Sequence, residues 1–122
     1  MPKIAIIEDD QAIAQMYRLK FEAEGYEVQL AENGAVGIEL VESFRPDIVL
    51  LDIMMPEMTG DEALAVLRKT EFGQNLKVII LTNMGEQEAP VGLKDLNVSR
   101  FVVKAEMTPR QVAELVREVL AA

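Results

Sequence analysis

The sequence predicts a three-layer α/β fold, a doubly wound five-stranded parallel sheet with five helices, and three observations carry that reading. Five short runs rich in β-branched and aliphatic residues, at 3–7, 26–30, 47–51, 77–81 and 100–103, alternate with longer amphipathic stretches. Two of the runs, Ile48-Val49-Leu50-Leu51 and Val78-Ile79-Ile80-Leu81, are apolar without alternation, as strands buried on both faces should be. At 122 residues the chain fits one compact domain with a single core, so residues 1–122 are read as one unit. Right-handed crossovers are the default for such a chain. The candidate strand order is 2-1-3-4-5, with the switch point between strands one and three; it comes from the precedent of open α/β sheets.

Each element has a local reason. After the first strand, Asp10 can N-cap a helix carrying Ile13, Met16, Tyr17 and Phe21, which Gly25 then ends. The second run alternates and carries polar Glu27 and Gln29, which suits an edge strand. Asn33 can start the next helix, with Val36, Ile38, Leu40, Val41 and Phe44, and Pro46 bars its continuation. Thr59 or Asp61 opens a third helix through Leu64, Val66 and Leu67. Pro90 and Gly92 interrupt the segment 85–97, which predicts a shortened helix over about 90–96 stopped by a left-handed Asn97. Thr108-Pro109 is a cap followed by proline at the first helical position, and Val112, Leu115, Val116, Val119 and Leu120 form the buried face of the last helix.

Composition narrows the function. Half of the residues are hydrophobic, so the chain is neither disordered nor a polar linker. No apolar run approaches the ~20 residues needed to span a bilayer. The start is too quickly interrupted by Glu8 to be a signal peptide. The cytoplasm is the simplest compartment. Cysteine is absent, which removes thiolate nucleophiles and zinc–thiolate sites, and histidine is absent too, which removes imidazole bases. A net charge of −9 argues against nucleic-acid binding through phosphate contacts.

In open parallel sheets, ligands bind beyond the carboxyl ends of the strands, near the switch point. The residues just past the apolar runs are therefore informative: Glu8-Asp9-Asp10, Asp52, Thr82 and Lys104. Taken singly these are ordinary residues. Asp10 reads mainly as a helix cap, Thr82 as a turn or cap residue and Lys104 as a solvated charge. Together they place an acid cluster and its own countercharge on one edge. Clustered carboxylates repel unless a cation or a proton intervenes. Glu8, Asp9 and Asp52 offer hard oxygen ligands without imidazole or thiolate, which suits Mg²⁺. A carboxylate can also attack a phosphoryl group to give an aspartyl phosphate, with positive charge and donors stabilising the transfer.

These pieces, with the string Asp52-Ile53-Met54-Met55-Pro56-Glu57-Met58-Thr59-Gly60, the pair Leu81-Thr82 and Phe101-Val102-Val103-Lys104, resemble the receiver domains of bacterial two-component response regulators. The resemblance covers essentially the whole chain, and the spacing between the pieces matches as well. It implies the flavodoxin-like fold shared with chemotaxis regulators. It also implies phosphorylation of Asp52 by a sensor histidine kinase or a histidine phosphotransfer protein. Asp9 and Asp52 would bind Mg²⁺ directly, Glu8 through water and Met54 through its backbone carbonyl. Lys104 would hold the acceptor carboxylate and later the phosphoryl oxygen, Thr82 would shift to the phosphoryl group, and Phe101 would change rotamer with it. Phe101 reads equally well as a plain core aromatic. Met54, Met55 and Met58 suit packing and loop positions better than any chemical role. The affected surface would involve the fourth helix, fifth strand and fifth helix.

Four positions depart from the family pattern. Ala105 stands where proline usually follows the lysine, often after a cis peptide; a non-proline cis bond costs ~3 kcal/mol, so a trans bond or a rearranged loop is expected. Asn83 stands where a small residue is usual and can hinder a phosphodonor or add a hydrogen bond. Met54 and Met84 offer no carboxylate or amide to orient an attacking water, which predicts a long-lived phosphoryl state. Three rival readings carry less support. A receiver-like interaction module that is never phosphorylated conflicts with the intact acid, threonine and lysine set. An aspartate-based phosphatase wants a second acid at position 54. A flavodoxin-like cofactor binder wants a Ser/Thr/Gly-rich phosphate loop where this chain has acids.

Overall fold

A computed structural model describes residues 2–122. The order is β1 (Lys3–Ile7), α1 (Gln11–Ala23), β2 (Glu27–Ala31), α2 (Gly34–Phe44), β3 (Ile48–Leu51), α3 (Gly60–Arg68), β4 (Lys77–Thr82), β5 (Arg100–Val103) and α4 (Pro109–Ala121). Two 3₁₀ segments, Glu86–Glu88 and Val91–Leu96, make the crossover from β4 to β5, and a third, Lys104–Glu106, leaves β5. All pairings are parallel, in the order β2-β1-β3-β4-β5. The expected sheet order and edge position of β2 are therefore observed.

Alternate residues of each central strand serve opposite layers. Ile4 and Ile6 pack with Tyr17 and Phe21 of α1 and with Val112 and Val116 of α4. Ala5 and Ile7 face the other way, with Val41 and Phe44 of α2, Leu64 and Leu67 of α3, and Leu93 of the crossover. β3 is buried at every position, which is why its sequence shows no alternation.

Helix ends follow the expected chemistry. Asp10 accepts hydrogen bonds from the amides of Ala12 and Ile13, and Asn33 from that of Val36. Thr59 rather than Asp61 opens α3, its amide and hydroxyl both donating to Glu62. Thr108 and Gln111 cap each other at the start of α4. Gly25 takes the left-handed φ of 93° that ends the α1 turn. At the opposite end of the sheet, Lys3 donates to the Phe44 carbonyl and Lys77 to those of Val119 and Leu120, placing a cation at each helix C-terminus.

Some details differ from expectation. Met16, Val36 and Val66 are exposed, because each lies on the flank of its helix's buried stripe; in α1 that stripe runs through Ala14, Tyr17 and Phe21. β2 is shifted one residue later, β3 lacks Asp47, and β4 extends to Thr82. Asp47, just before β3, still reaches β1, its carboxylate accepting from the Lys3 amide at 2.7 Å and its own amide donating to the Lys3 carbonyl at 2.8 Å. The shortened fourth helix is 3₁₀ rather than α. Pro90 stands at its N-cap, and Leu93 is the one buried residue of the segment. Asn97 ends it with φ 57°, as its position predicted. Arg68 fastens this region from α3, donating to the carbonyls of Leu96, Asn97, Gly73 and Leu76.

Candidate functional site

Three strands deliver the site. β1 ends into Glu8 and Asp9, β3 into Asp52, and β5 into Lys104. One carboxylate oxygen each of Glu8, Asp9 and Asp52 lie within 4.8 Å of one another. Glu8 is 3% exposed and Asp52 5%, whereas Asp9 faces solvent. Each carboxylate oxygen of the two buried acids accepts one hydrogen bond. Asp52 Oδ1 accepts from the Met54 amide at 3.1 Å, and Oδ2 from Lys104 Nζ at 3.1 Å. Glu8 Oε2 accepts from the Asp10 amide at 3.1 Å, and Oε1 from Lys104 Nζ.

Lys104 thus bridges two buried carboxylates, where the sequence reading pairs it with Asp52 alone. A single ammonium cannot satisfy both acids fully. Burial pushes the Glu8 carboxyl up to about 7, against the opposing pull of the Lys104 hydrogen bond. Burial works against the charge of Lys104, but the Glu8 hydrogen bond and the Asp52 charge outweigh it and raise its pKa. Tyr17 of α1 is close enough to feel both groups. Burial pushes its phenol up, Lys104 opposes that rise and Glu8 adds to it.

The remaining residues sit around this centre. Thr82 is fully buried at the end of β4, its hydroxyl accepting from the Met84 amide at 3.3 Å. Phe101 pairs across β4 with Ile80 and packs, half-buried, on the α2–α3 side of the sheet. Met54 is 54% exposed on the rim, Met84 is half-buried, and Asn83 and Ala105 face solvent. No cis peptide occurs among the described residues, so Lys104-Ala105 is trans, as the missing proline predicts, and the chain leaves β5 through a 3₁₀ turn. Asp10 stays a helix cap outside the carboxylate cluster.

Two backbone features were not legible as site elements. The Met54 amide that orients Asp52 belongs to the turn after β3, and Gly60 makes that turn possible. A Cβ at Gly60 would collide with the Asp52 carbonyl, while the Gly60 amide donates to Ile53 at 2.9 Å. The glycine eight residues past Asp52 was the available signal, and its purpose shows only in three dimensions.

A donor set of three clustered carboxylate oxygens, with no nitrogen or sulfur ligand, fits a hard divalent cation. The buried Asp52, at the end of a central parallel strand and tied to Lys104 beside this cluster, lies at the switch point of a doubly wound sheet, where ligands bind in such folds. The sequence profile of the response regulator receiver domain family matches residues 4–117. The chain belongs to that family.

Among its relatives, the DNA-binding dual master transcriptional regulator RpaA of Synechocystis sp. is 32% identical over 121 residues, 99% of this chain and 48% of the relative. The phosphate regulon transcriptional regulatory protein PhoB of Rhizobium meliloti is 33% identical over 115 residues, 94% of this chain and 51% of the relative. The chain therefore spans about half the length of these curated relatives. Among solved structures, the CheY-like receiver domain protein of Methanospirillum hungatei superposes with a TM-score of 0.90 at 29% identity, over 99% of this chain and 94% of that one. TrrA of Thermotoga maritima, in complex with Mg²⁺ and BeF, superposes with a TM-score of 0.85 at 28% identity, over 98% and 99%.

Proposed function

We propose that Asp52 is the phosphoacceptor of this receiver domain, taking a phosphoryl group from a phosphohistidine of a sensor kinase or phosphotransfer protein. The observation that carries this is the Asp52 carboxylate, buried at the end of β3, ion-paired to Lys104 and clustered with Glu8 and Asp9. An Asp52 oxygen forms the new bond to phosphorus as the bond to the donor imidazole nitrogen breaks, and the electron pair stays with the imidazole. The Met54 amide and Lys104 fix the carboxylate before attack, so little reorganisation is needed.

Asp9, Asp52 and the Met54 carbonyl would hold Mg²⁺, with Glu8 acting through water. Bound there, the cation would offset the clustered negative charge and that of the incoming phosphoryl oxygens. The Mg²⁺ and BeF bound in TrrA support this choice of cation. Lys104 would hold a phosphoryl oxygen after transfer, Thr82 would donate its hydroxyl to another, and Phe101 would follow Thr82. Asn83 at the mouth and Ala105 beyond Lys104 would modulate access. Met54 and Met84 bring thioethers where a base or amide would activate water, so the phosphoryl state should be long-lived. Beyond slow self-dephosphorylation, the domain turns over no substrate of its own. Its acidic charge fits a cytoplasmic domain that acts through a protein partner rather than on nucleic acid directly.

The test is incubation with Mg²⁺ and a small phosphodonor, followed by intact mass. Wild type should gain one phosphoryl group, and Asp52→Asn none. No gain on wild type would sink the proposal and leave an interaction module that is not phosphorylated. In the same samples the label should persist for hours after donor removal; loss within minutes would refute the long-lived state.

A further inference from the structure

A thioether is a weak hydrogen-bond acceptor, but two-electron oxidation turns it into a sulfoxide, which is polar and reversible by enzymatic reduction. Exposure decides which methionines are open to that chemistry. Among the described residues, Met55 is buried in the core, Met58 packs over Gly34 of α2, and Met84 and Met107 are half-buried. Two stand in solvent, Met16 of α1 at 42% exposed and Met54 at 54%.

Met54 differs from Met16 in what its backbone holds. Its amide donates to Asp52 Oδ1 at 3.1 Å, so its Cα is fixed beside the acceptor carboxylate while its side chain stays exposed at the rim. An unbranched side chain with three rotatable bonds can turn over the site from such an anchor without moving the loop. The Met84 amide holds the Thr82 hydroxyl in the same two-residue pattern, at 3.3 Å, but its thioether is half covered. Met54 is therefore the one methionine of the pair that a dissolved oxidant reaches freely.

We propose that Met54 is a site of reversible oxidation by hydrogen peroxide, and that its sulfoxide shortens the life of the phosphoryl group on Asp52. The sulfur lone pair attacks one peroxide oxygen as the O–O bond breaks, and the departing hydroxide takes the remaining proton and leaves as water. Sulfur loses two electrons and the peroxide gains them. The sulfoxide oxygen then supplies at the rim the acceptor that the thioether lacks, and it orients a water toward phosphorus. The water oxygen bonds to phosphorus, the bond to Asp52 breaks with its electron pair returning to the carboxylate, and a water proton passes to solvent. Reduction by a dithiol restores the thioether, giving a disulfide and water. The inference rests on phosphoryl acceptance at Asp52 and concerns only how the label is lost.

The test treats the full chain with limiting hydrogen peroxide, removes it, and phosphorylates with Mg²⁺ and a small phosphodonor. Intact mass after donor removal follows oxidised and unoxidised molecules separately in one sample. Peptide mapping should find the first added oxygen on Met54, ahead of Met16. The oxidised molecules should accept the phosphoryl group and lose it about tenfold faster than the unoxidised ones. Methionine sulfoxide reductase with dithiothreitol should restore the slow loss. Met54→Leu should lose its label at one rate with or without peroxide, whereas Met16→Leu should keep the tenfold difference. Equal or slower loss after oxidation, oxidised molecules that take up no label, first oxidation elsewhere, or a peroxide effect that survives Met54→Leu would overturn the proposal. Untreated protein that takes up no label would remove the phosphoacceptor reading itself, and this proposal with it.

Discussion

Lys104 is shared between Glu8 and Asp52, and that sharing sets the behaviour of single residues at the site. Burial lifts the Glu8 carboxyl to about 7 from the ordinary 4.5, in spite of its hydrogen bond to Lys104. A carboxyl that binds its proton more tightly when folded stabilises the fold fully below the unfolded value. That contribution disappears as pH rises through the folded one. In the absence of divalent cations, urea unfolding should therefore show stability falling from about pH 4.5 to about pH 7. Glu8→Gln should flatten that part of the profile. A profile equally steep in the variant would place the titration elsewhere. Mg²⁺ favours the ionised carboxylates, so its apparent affinity should rise over the same interval.

At the scale of elements, the turn from β3 into α3 shows how a local sequence can serve two ends. Asp52, the Met54 amide and Gly60 form one compact loop, and Glu57 within it adopts a left-handed φ of 68°. Gly60 lets α3 start directly against the backbone of Asp52. Gly60→Ala should therefore push the loop away from Asp52 and cost about 2–3 kcal/mol of stability, as overpacking does. Urea denaturation would measure the loss, and phosphorylation of the folded fraction should slow. Stability equal to wild type would show that the loop yields more easily than its backbone contact implies. The crossover into β5 makes the opposite use of its sequence. Pro90 caps a short 3₁₀ segment there, and only Leu93 within it is buried.

Across the whole molecule, 21 acidic residues outnumber 12 basic ones. The exposed pairs, such as Arg18 with Glu22 and Arg110 with Glu114, contribute little each because water screens them. Net repulsion among the remaining acids then opposes the compact state. Raising NaCl from near zero to ~0.15 M shortens the screening length to ~8 Å and should raise the thermal midpoint steadily. A midpoint that falls with salt would mean that favourable ion pairs dominate instead. Both core layers pack on the same parallel sheet, and the site sits at its carboxyl edge, just past β1 and β3.

By itself the sequence determined the fold class, the five strands, most helix caps and the acid, threonine and lysine set. Periodicity, Pro and Gly placement and strand-end chemistry are local properties, and each is written in consecutive residues. Resemblance to the receiver family added the roles expected of those residues. Only the tertiary structure decided that Lys104 bridges Glu8 as well as Asp52, since those partners lie far apart in the chain and meet only when β1, β3 and β5 are in register. It also decided the 3₁₀ form of the crossover. That outcome depends on how a proline-limited segment packs against α3 and the sheet, which no window of the sequence contains.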